Sequence, residues 1–496
     1  MKQKALVIGA GFAGISAAAS LAKEGYDVTV LEKNEQAGGR ARVLREQGFT
    51  FDMGPSWYWM PDVFEAWFAR FDQHPSDHYN LVRLDPSYQV VYSELDHWKV
   101  PADRNELRAF FEAKEVGAGQ ALDSFLEEAR VKYELGMREL VHRPSLSWLE
   151  FVHPKLIGGL FRSAVFRSMR SHVARYFTDE RLRKLMEFPV LFLGATPENT
   201  PALYSLMNYA DMALGTWYPM GGIGRVVDGM LTVARSEGAK FRFNQAVEEI
   251  IVRNGRVAGV RTSEAEFPAD VVVGAADYNH VEQHLLAEEH RTYTGKYWND
   301  RVMAPSSLLL YLGFDVRLPN LNHHNLFFDA SLDAHAHAIY KEPRWPEKPL
   351  MYFCVPSITD GSVAPAGHEN VFALIPVAPG LADSPLVREH YTRLMLDRLA
   401  AHTGIAVQDH LVYQRSYCGS DFQSDYNAFR GNAYGLANTL RQTAVLKPSV
   451  KSAKVRGLYF AGQLTVPGPG VPPALISGQL VADLIVREHS SHRQRA

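Results

Sequence analysis

The sequence predicts an α/β chain: a parallel sheet built from strand–turn–helix–strand units, joined to an α+β portion with an antiparallel sheet and a helical surface region. Three observations carry this expectation. The apolar run Lys4-Ala5-Leu6-Val7-Ile8 runs into Gly9-Ala10-Gly11-Phe12-Ala13-Gly14 and then a helical stretch. A second run, Asp27-Val28-Thr29-Val30-Leu31, ends in the acid Glu32. Near the other end, Gly457-Leu458-Tyr459-Phe460-Ala461-Gly462-Gln463 again leads a strand to a glycine, before a Gly/Pro segment and a helix.

Each element has a mechanical reason. Lys4 to Ile8 is a short buried strand, and the helix runs from Ile15 to about Glu24, with Gly25 as its stop. Gly9 permits the tight turn, Gly11 lets the backbone approach a pyrophosphate, and Gly14 lets the helix lie close on the sheet. The helix N-terminus offers unpaired N–H groups and the positive end of its dipole to phosphates. Glu32, eighteen residues after Gly14, is placed to accept hydrogen bonds from a ribose hydroxyl pair. Together these make a Rossmann-type dinucleotide unit. Gly117-Ala118-Gly119 has the first two glycines of such a motif but no preceding strand, and it reads as a loop entering a helix.

Composition sets the outer bounds. At roughly 100–200 residues per domain, 496 residues predict about two to four compact units. Hydrophobic residues at 46 % and charged ones at 22 % exclude global disorder and collagen-like repetition. Lys+Arg 52 against Asp+Glu 55 leaves no basic field, so nucleic acid is not an expected partner. Two cysteines, Cys354 and Cys418, cannot build a disulfide framework or a cysteine-based metal site. The start, Met1-Lys2-Gln3-Lys4, leads into too short an apolar run for a signal peptide. No stretch reaches the roughly 18 apolar residues that span a bilayer. A reduced, cytoplasmic setting is expected, in solution or on a membrane surface.

Further motifs favour FAD over NAD. Gly38-Gly39-Arg40 is a second phosphate-approaching loop, whose guanidinium can reach a pyrophosphate. Phe51-Asp52-Met53-Gly54-Pro55-Ser56-Trp57 is a rigid turn rich in backbone donors. At the C-terminus, Pro467-Gly468-Pro469-Gly470-Val471-Pro472-Pro473 opens a helix from Ala474 to about Arg487, an anion cradle suited to a flavin edge. No second dinucleotide fingerprint exists for NAD(P)H.

With Gly215-Thr216-Trp217-Tyr218-Pro219-Met220-Gly221-Gly222 added, this pattern resembles the bacterial phytoene and carotenoid desaturases of the flavin amine oxidase superfamily along most of the chain. Two departures stand out: Val466-Pro467-Gly468 where many members have His-Pro-Gly, and Gln463 where amine oxidases often have an acid. The resemblance implies a glutathione-reductase-like FAD-binding domain, a C40 polyene substrate, docking on a membrane, and backbone contacts from Val247 near the adenine. The expected cofactor-binding set is Gly9, Gly11, Phe12, Ala13, Gly14, Glu32, Lys33, Gly39, Arg40, Gly54, Pro55, Ser56, Val247, Gly462, Gln463, Gly470, Val471 and Pro472. Residues 1–110, 215–290 and 440–496 are expected to form the FAD-binding domain, and 111–214 and 291–439 the substrate-binding, membrane-associating domain.

The middle of the chain agrees with a lipid substrate. From Phe151 to Phe177 there is no Asp or Glu, while Lys155, Arg162, Arg167, Arg170 and Arg175 alternate with apolar residues such as Leu156, Leu160, Phe161 and Val165. That pattern suits an amphipathic helix on anionic lipid; a core helix with a solvated basic face is the alternative, and the complete absence of acids favours the membrane. A hairpin is expected over Gly238 to Thr262 with its turn at Asn254-Gly255, and a strand at Asp270–Ala275. Tyr204, Trp217, Tyr218, Phe314, Phe327, Phe328 and Tyr352 are candidate liners of an apolar tunnel.

Desaturation removes two hydrogens from adjacent saturated carbons. Hydride transfer to flavin N5 is the accessible route, because the remaining cation is allylic. No metal site or nucleophilic triad is expected, and no catalytic side chain is assigned. Glu187, in an apolar stretch, is considered as a proton acceptor against a structural ion pair. A quinone or oxygen is the expected electron acceptor. The leading expectation is phytoene desaturation toward lycopene. The alternatives are a desaturase of hydroxylated or cyclic carotenoids, another flavin oxidase acting on amines or protoporphyrinogen, and a non-enzymatic lipid-binding protein like the GDP-dissociation inhibitors.

Overall fold

Short runs that are apolar at nearly every position form strands buried on both faces, which is how parallel sheets are built. In the computed structural model, which describes residues 2–151, 167–193, 196–439 and 441–493, these runs pair as expected. The first sheet has the strand order Leu458–Phe460, Val271–Gly274, Lys4–Ile8, Asp27–Leu31, Lys240–Arg242. Every neighbouring pair in it is parallel. Ala5, Val7, Val28, Val30, Val271 and Val273 share one core with the helices Phe12–Lys23, Gly224–Ser236 and Val471–Arg493. The alternate residues Leu6, Ile8, Leu31, Val272, Leu458 and Phe460 pack against an antiparallel sheet of Val247–Arg253, Arg256–Thr262 and Glu266–Pro268. The period-2 alternation of a strand thus sends each half of every run to a different core.

The chain ends meet through glycine. A Cβ on Gly478 of the C-terminal helix would lie 2.3 Å from the Ala13 carbonyl oxygen and 2.8 Å from the Ala17 nitrogen of the N-terminal helix. Both helices begin earlier than expected, at Phe12 and Val471, and the second runs on to Arg493. Pro472 and Pro473 fit inside its first turn, where an N–H has no intrahelical partner.

A second sheet has the order Leu411–Tyr417, Ser306–Phe314, Glu369–Val377, Met351–Cys354, His324–Phe327, Tyr88–Val91, His97–Val100. Only the His324–Phe327 and Tyr88–Val91 strands pair in parallel. Residues 88–91 and 97–100 therefore belong to this sheet, although they fall inside the N-terminal range expected for the nucleotide unit. One face carries Leu309, Tyr311, Tyr352, Cys354 and Phe372 toward the central core. The other packs Leu308, Leu310, Phe314, Phe327 and Phe353 on Tyr391, Met395 and Leu399 of the helix Pro385–Thr403. Gly117 and Gly119 stand, as expected, at the entry to the helix Ala118–Leu135.

The basic, acid-free segment between Phe151 and Phe177 falls largely outside the described residues. Its described end contains the helix Met169–Val173, whose Met169 and Val173 are fully buried. Arg170 is paired with Glu187 (3.4 Å), Asp333 (2.7 Å) and Glu198. Over these residues the pattern is core plus ion pairs. The acids absent from the local sequence arrive from other elements. No described helix is long and apolar enough to cross a membrane.

Candidate functional site

At the C-terminal edge of the parallel sheet the chain must turn sharply, and glycine allows it. Gly9 has φ +101°, and its N–H donates to the Leu31 carbonyl at 2.8 Å. Gly14 is packed so closely that a Cβ there would sit 2.0 Å from the Gly9 carbonyl oxygen. The Gly38-Gly39 loop lies on this turn: the Gly38 N–H donates to the Ala10 carbonyl at 2.8 Å, and a Cβ on Gly39 would come within 3.3 Å of the Gly11 Cα. Two backbone loops without side chains therefore face each other, a geometry made for phosphates.

Charged groups surround these loops. Glu32 is buried and accepts from the Ala10 N–H (2.8 Å) and from the Asn34 N–H and Nδ2 (both 2.9 Å). Its carboxylate keeps acceptor capacity beyond these bonds, for a ribose hydroxyl. Lys33 points its ammonium to the Ser424 carbonyl at 2.7 Å. Arg40 donates through Nη2 to the Asn432 carbonyl at 3.1 Å. With the Gln463 amide oxygen turned toward it, Arg40 also donates to that oxygen through Nη1 (3.0 Å) and Nη2 (2.9 Å). Asp277 lies beside it, its carboxyl pushed up by burial and drawn back down by the Arg40 charge. The Arg40 Nε is buried and has no partner. An orphaned guanidinium N–H beside two glycine loops fits a pyrophosphate oxygen, so the residues present suit a dinucleotide.

The C-terminal strand and helix close the site. Gly462 has φ +116° and donates its N–H to Ser477 Oγ at 3.0 Å. Gly470 has φ +112° and precedes the helix. The expected anion cradle is narrower here than a usual helix start: Pro472 and Pro473 have no N–H, and the Ala474 N–H returns to the Gly470 carbonyl at 3.0 Å, which leaves Val471.

All these elements line one cavity of about 550 Å³. Of the eighteen residues expected at the cofactor, every one but Gly14 is on its wall. Gly14 shapes the turn from behind. Gln245, Ala246 and Val247 reach the cavity where the antiparallel sheet crosses the first one.

Beyond Gly54-Pro55-Ser56 the wall changes character. Trp57, Trp59, Met60, Met207, Leu309, Phe372 and Leu374 line an apolar wing. Tyr352, Leu374 and Tyr434 are shared with a smaller cavity of about 80 Å³, lined by Phe188, Leu326, Phe328 and Ile339 among others. The charged liners Glu32, Lys33, Arg40, Asp277 and Asp425 all belong to the loops of the nucleotide side.

Of the tunnel liners expected from sequence, Tyr352 and Phe328 hold their places. Phe314 and Phe327 face the opposite side of the sheet, because their strand positions have the other parity. Tyr218 packs on His323 at 4.6 Å between centroids, and neither Trp217 nor Tyr204 lines either of these two cavities. Glu187 is buried and pushed up to about 7 by burial, but it pairs with Arg170 and does not line either cavity. Leu309, Phe372 and Leu374 were missed. They sit in strands with apolar residues on both faces, so only the fold selects the face that looks inward.

A buried polar group supports the aromatic wall. Trp59 Nε1 donates to Thr216 Oγ1 (2.8 Å), and Thr216 Oγ1 and the Tyr88 hydroxyl donate to Asp211 at 3.1 and 2.8 Å. Burial pushes the Asp211 carboxyl up to about 7 from an ordinary 3.8. Between those values the native state holds a proton the unfolded chain has released, so stability falls as pH rises through that window. The melting temperature is expected to drop between pH 4 and 7, with a flatter profile for Asp211→Asn. An unchanged slope in that variant would assign the drop elsewhere.

By fold, a chain whose two ends build one dinucleotide cleft is of the glutathione-reductase-like class. The family described as flavin containing amine oxidoreductase matches residues 12–486. The chain is 43 % identical to a carotenoid 3,4-desaturase of Haloarcula japonica, over 97 % of this chain and 98 % of that one. It is 33 % identical to a zeta-carotene-forming phytoene desaturase of Myxococcus xanthus, over 98 % and 94 %. A solved oxidoreductase from Methanosarcina mazei shares the fold with a TM-score of 0.61 at 18 % identity, covering 98 % of this chain and all of that one. The chain belongs to the flavin-containing amine oxidoreductases, in the branch that holds the carotenoid desaturases, and is an FAD-dependent oxidoreductase.

Proposed function

We propose that this chain introduces a double bond near the end of an acyclic carotenoid, in the manner of a 3,4-desaturation. The observation that carries this reading is the division of the cavity: charges and glycine loops at one end, and a wing of tryptophan, methionine, leucine and phenylalanine at the other. An apolar wing binds hydrocarbon by burial, at about 25 cal/mol per Å² of apolar surface, and holds no carboxylate to pair with a charged amine. The choice of bond rests on the 43 % identity to a 3,4-desaturase. Phytoene is the second reading, favoured by the 33 % relative that forms zeta-carotene from it.

Gly9, Gly11, Phe12, Ala13, Glu32, Lys33, Gly39, Arg40, Gly54, Pro55, Ser56, Val247, Gly462, Gln463, Gly470, Val471 and Pro472 are the residues we assign to holding FAD, with Gly14 shaping the turn. Bound FAD supplies a two-electron acceptor that takes a hydride from one of two adjacent saturated carbons. The chain's own share is to fix the reacting bond, keep water out of the apolar wing and take up the proton. A quinone or oxygen removes the electrons afterward. Exposed Trp148 and Leu149 lead into the basic segment, and they suit a membrane surface from which an insoluble substrate enters.

The test uses the purified yellow protein with a quinone in liposomes carrying either phytoene or an acyclic hydroxycarotenoid that is already conjugated. A red shift of the absorption bands is expected with the conjugated substrate. Conversion of phytoene alone replaces the first reading with the second, and conversion of neither sinks both.

A further inference from the structure

Loss of a hydride leaves a cation that becomes an alkene only when the neighbouring carbon gives up a proton, and the apolar wing offers few groups to receive it. Its hydroxyls are those of Ser56, Ser307, Tyr352, Tyr434 and Thr465. Thr465 donates to the Pro448 carbonyl at 2.6 Å, and the Ser307 hydroxyl is buried without a partner. Tyr352 shares the junction of the two cavities with Tyr434, but its oxygen lies 2.7 Å from Nδ1 of His324 and 2.9 Å from Ser56 Oγ.

The imidazole is held for this contact. His324 is fully buried, stacked on Trp57 with centroids 4.0 Å apart and planes at 11°. His323 follows at 4.5 Å between ring centres, and its Nδ1 lies 2.8 Å from Thr359 Oγ1, beside the exposed Ile358. The Nε2 atoms of both histidines are buried without a partner. The groups facing this pair are Tyr352, Cys354, Tyr218 and Asp360, of which only Asp360 carries a charge; the cavity's own charges belong to the distant nucleotide loops. Burial holds both imidazoles neutral, His323 down to about 3 and His324 well below its ordinary range. A neutral imidazole can accept a proton and, so destabilised as a cation, passes it on.

We propose that Tyr352 and His324 form a short proton wire that drains the desaturation step from the apolar wing, with Ser56 orienting the Tyr352 hydroxyl. This rests on the desaturase reading above. The substrate C–H bond breaks and its electron pair becomes the second bond of the new alkene. Its proton binds Tyr352 Oη as the Tyr352 O–H breaks and an N–H forms at His324 Nδ1. Tyr352 is thereby a catalytic residue, and His324 acts through it.

The test has two independent readouts. Positioned acid–base groups contribute about 10²–10⁴-fold, so Tyr352→Phe is expected to lower kcat at least about 100-fold, with KM and flavin content unchanged. The wild type is expected to turn over about twofold slower in D2O, an effect lost in Tyr352→Phe. Nitrogen-15 NMR of histidine-labelled protein, without substrate, is expected to find His324 Nδ1 unprotonated and shifted by Tyr352→Phe. A Tyr352→Phe enzyme with kcat within twofold of wild type overturns the wire, as does a His324 that carries its proton on Nδ1. One equivalent of zinc bound to the wild type and lost in His323→Gln overturns it too, since the free nitrogens and Cys354 would then be metal ligands. If the wild type converts no carotenoid, the desaturase reading itself fails.

Discussion

Gly14→Ala is expected to yield a colourless, destabilised protein. The added Cβ would stand 2.0 Å from the Gly9 carbonyl oxygen, 3.0 Å from its carbon and 3.3 Å from Ala275 Cβ. Nothing flexible is available to yield, because the first two atoms are backbone in the turn between the first strand and its helix. Relief requires lifting the helix start, and with it Gly11, Phe12 and Ala13, off the cavity wall. Overpacking of this kind costs about 3 kcal/mol or more. Flavin absorbance per mole of chain and a thermal melt measure the outcome. Gly361→Ala is the matched control: a Cβ there meets nothing within 4 Å, and its stability is expected within about 0.5 kcal/mol of wild type. A Gly14→Ala chain that purifies yellow, with an unchanged melt, would refute the steric argument.

The second large effect is expected at Arg40. Arg40→Leu removes both donors from the Gln463 amide oxygen and the donor to the Asn432 carbonyl, and it leaves Asp277 buried beside an apolar side chain. Asp277 then loses the nearby positive charge that draws its buried carboxyl down. The same change removes Nε, a buried N–H without a partner, and with it the hydrogen bond expected to a cofactor phosphate. Flavin is expected to be lost on dialysis and the melt to fall. Arg40→Lys keeps the charge but not the fork, and it is expected to retain flavin weakly. Full flavin in the leucine variant would remove Arg40 from the cofactor's partners.

Legibility in the sequence followed the range of the interactions involved. The glycine turns, Glu32 and the Gly38-Gly39-Arg40 loop were readable because their geometry is set within a few residues: a positive φ at Gly9 or Gly38 excludes most side chains whatever the rest of the chain does. The membership of Val247 and of both chain ends in one site came through family resemblance. The apolar liners were half readable. Aromatic content announced a greasy core, but parity along each strand sent Phe314 and Phe327 outward to a helix and Tyr352 inward to the cavity. The acid-free stretch ending at Phe177 misled at its described end, since Arg170 finds Glu187, Glu198 and Asp333 from other segments.

The amino-acid order alone determined which backbone can turn, which strands lie buried, and which glycine loops face one cavity, because those are local consequences of missing side chains and apolar runs. Only the tertiary structure decided what shares a wall with them. Ser56, Tyr352 and His324 come from positions up to 296 residues apart, and their oxygens and nitrogen meet because neighbouring strands of one sheet carry Tyr352 and His324, the turn after Gly54-Pro55 brings in Ser56, and Trp57 stacks on the imidazole. Burial is a property of the assembled core, and it is burial that lifts Asp211 and silences the charge on His324.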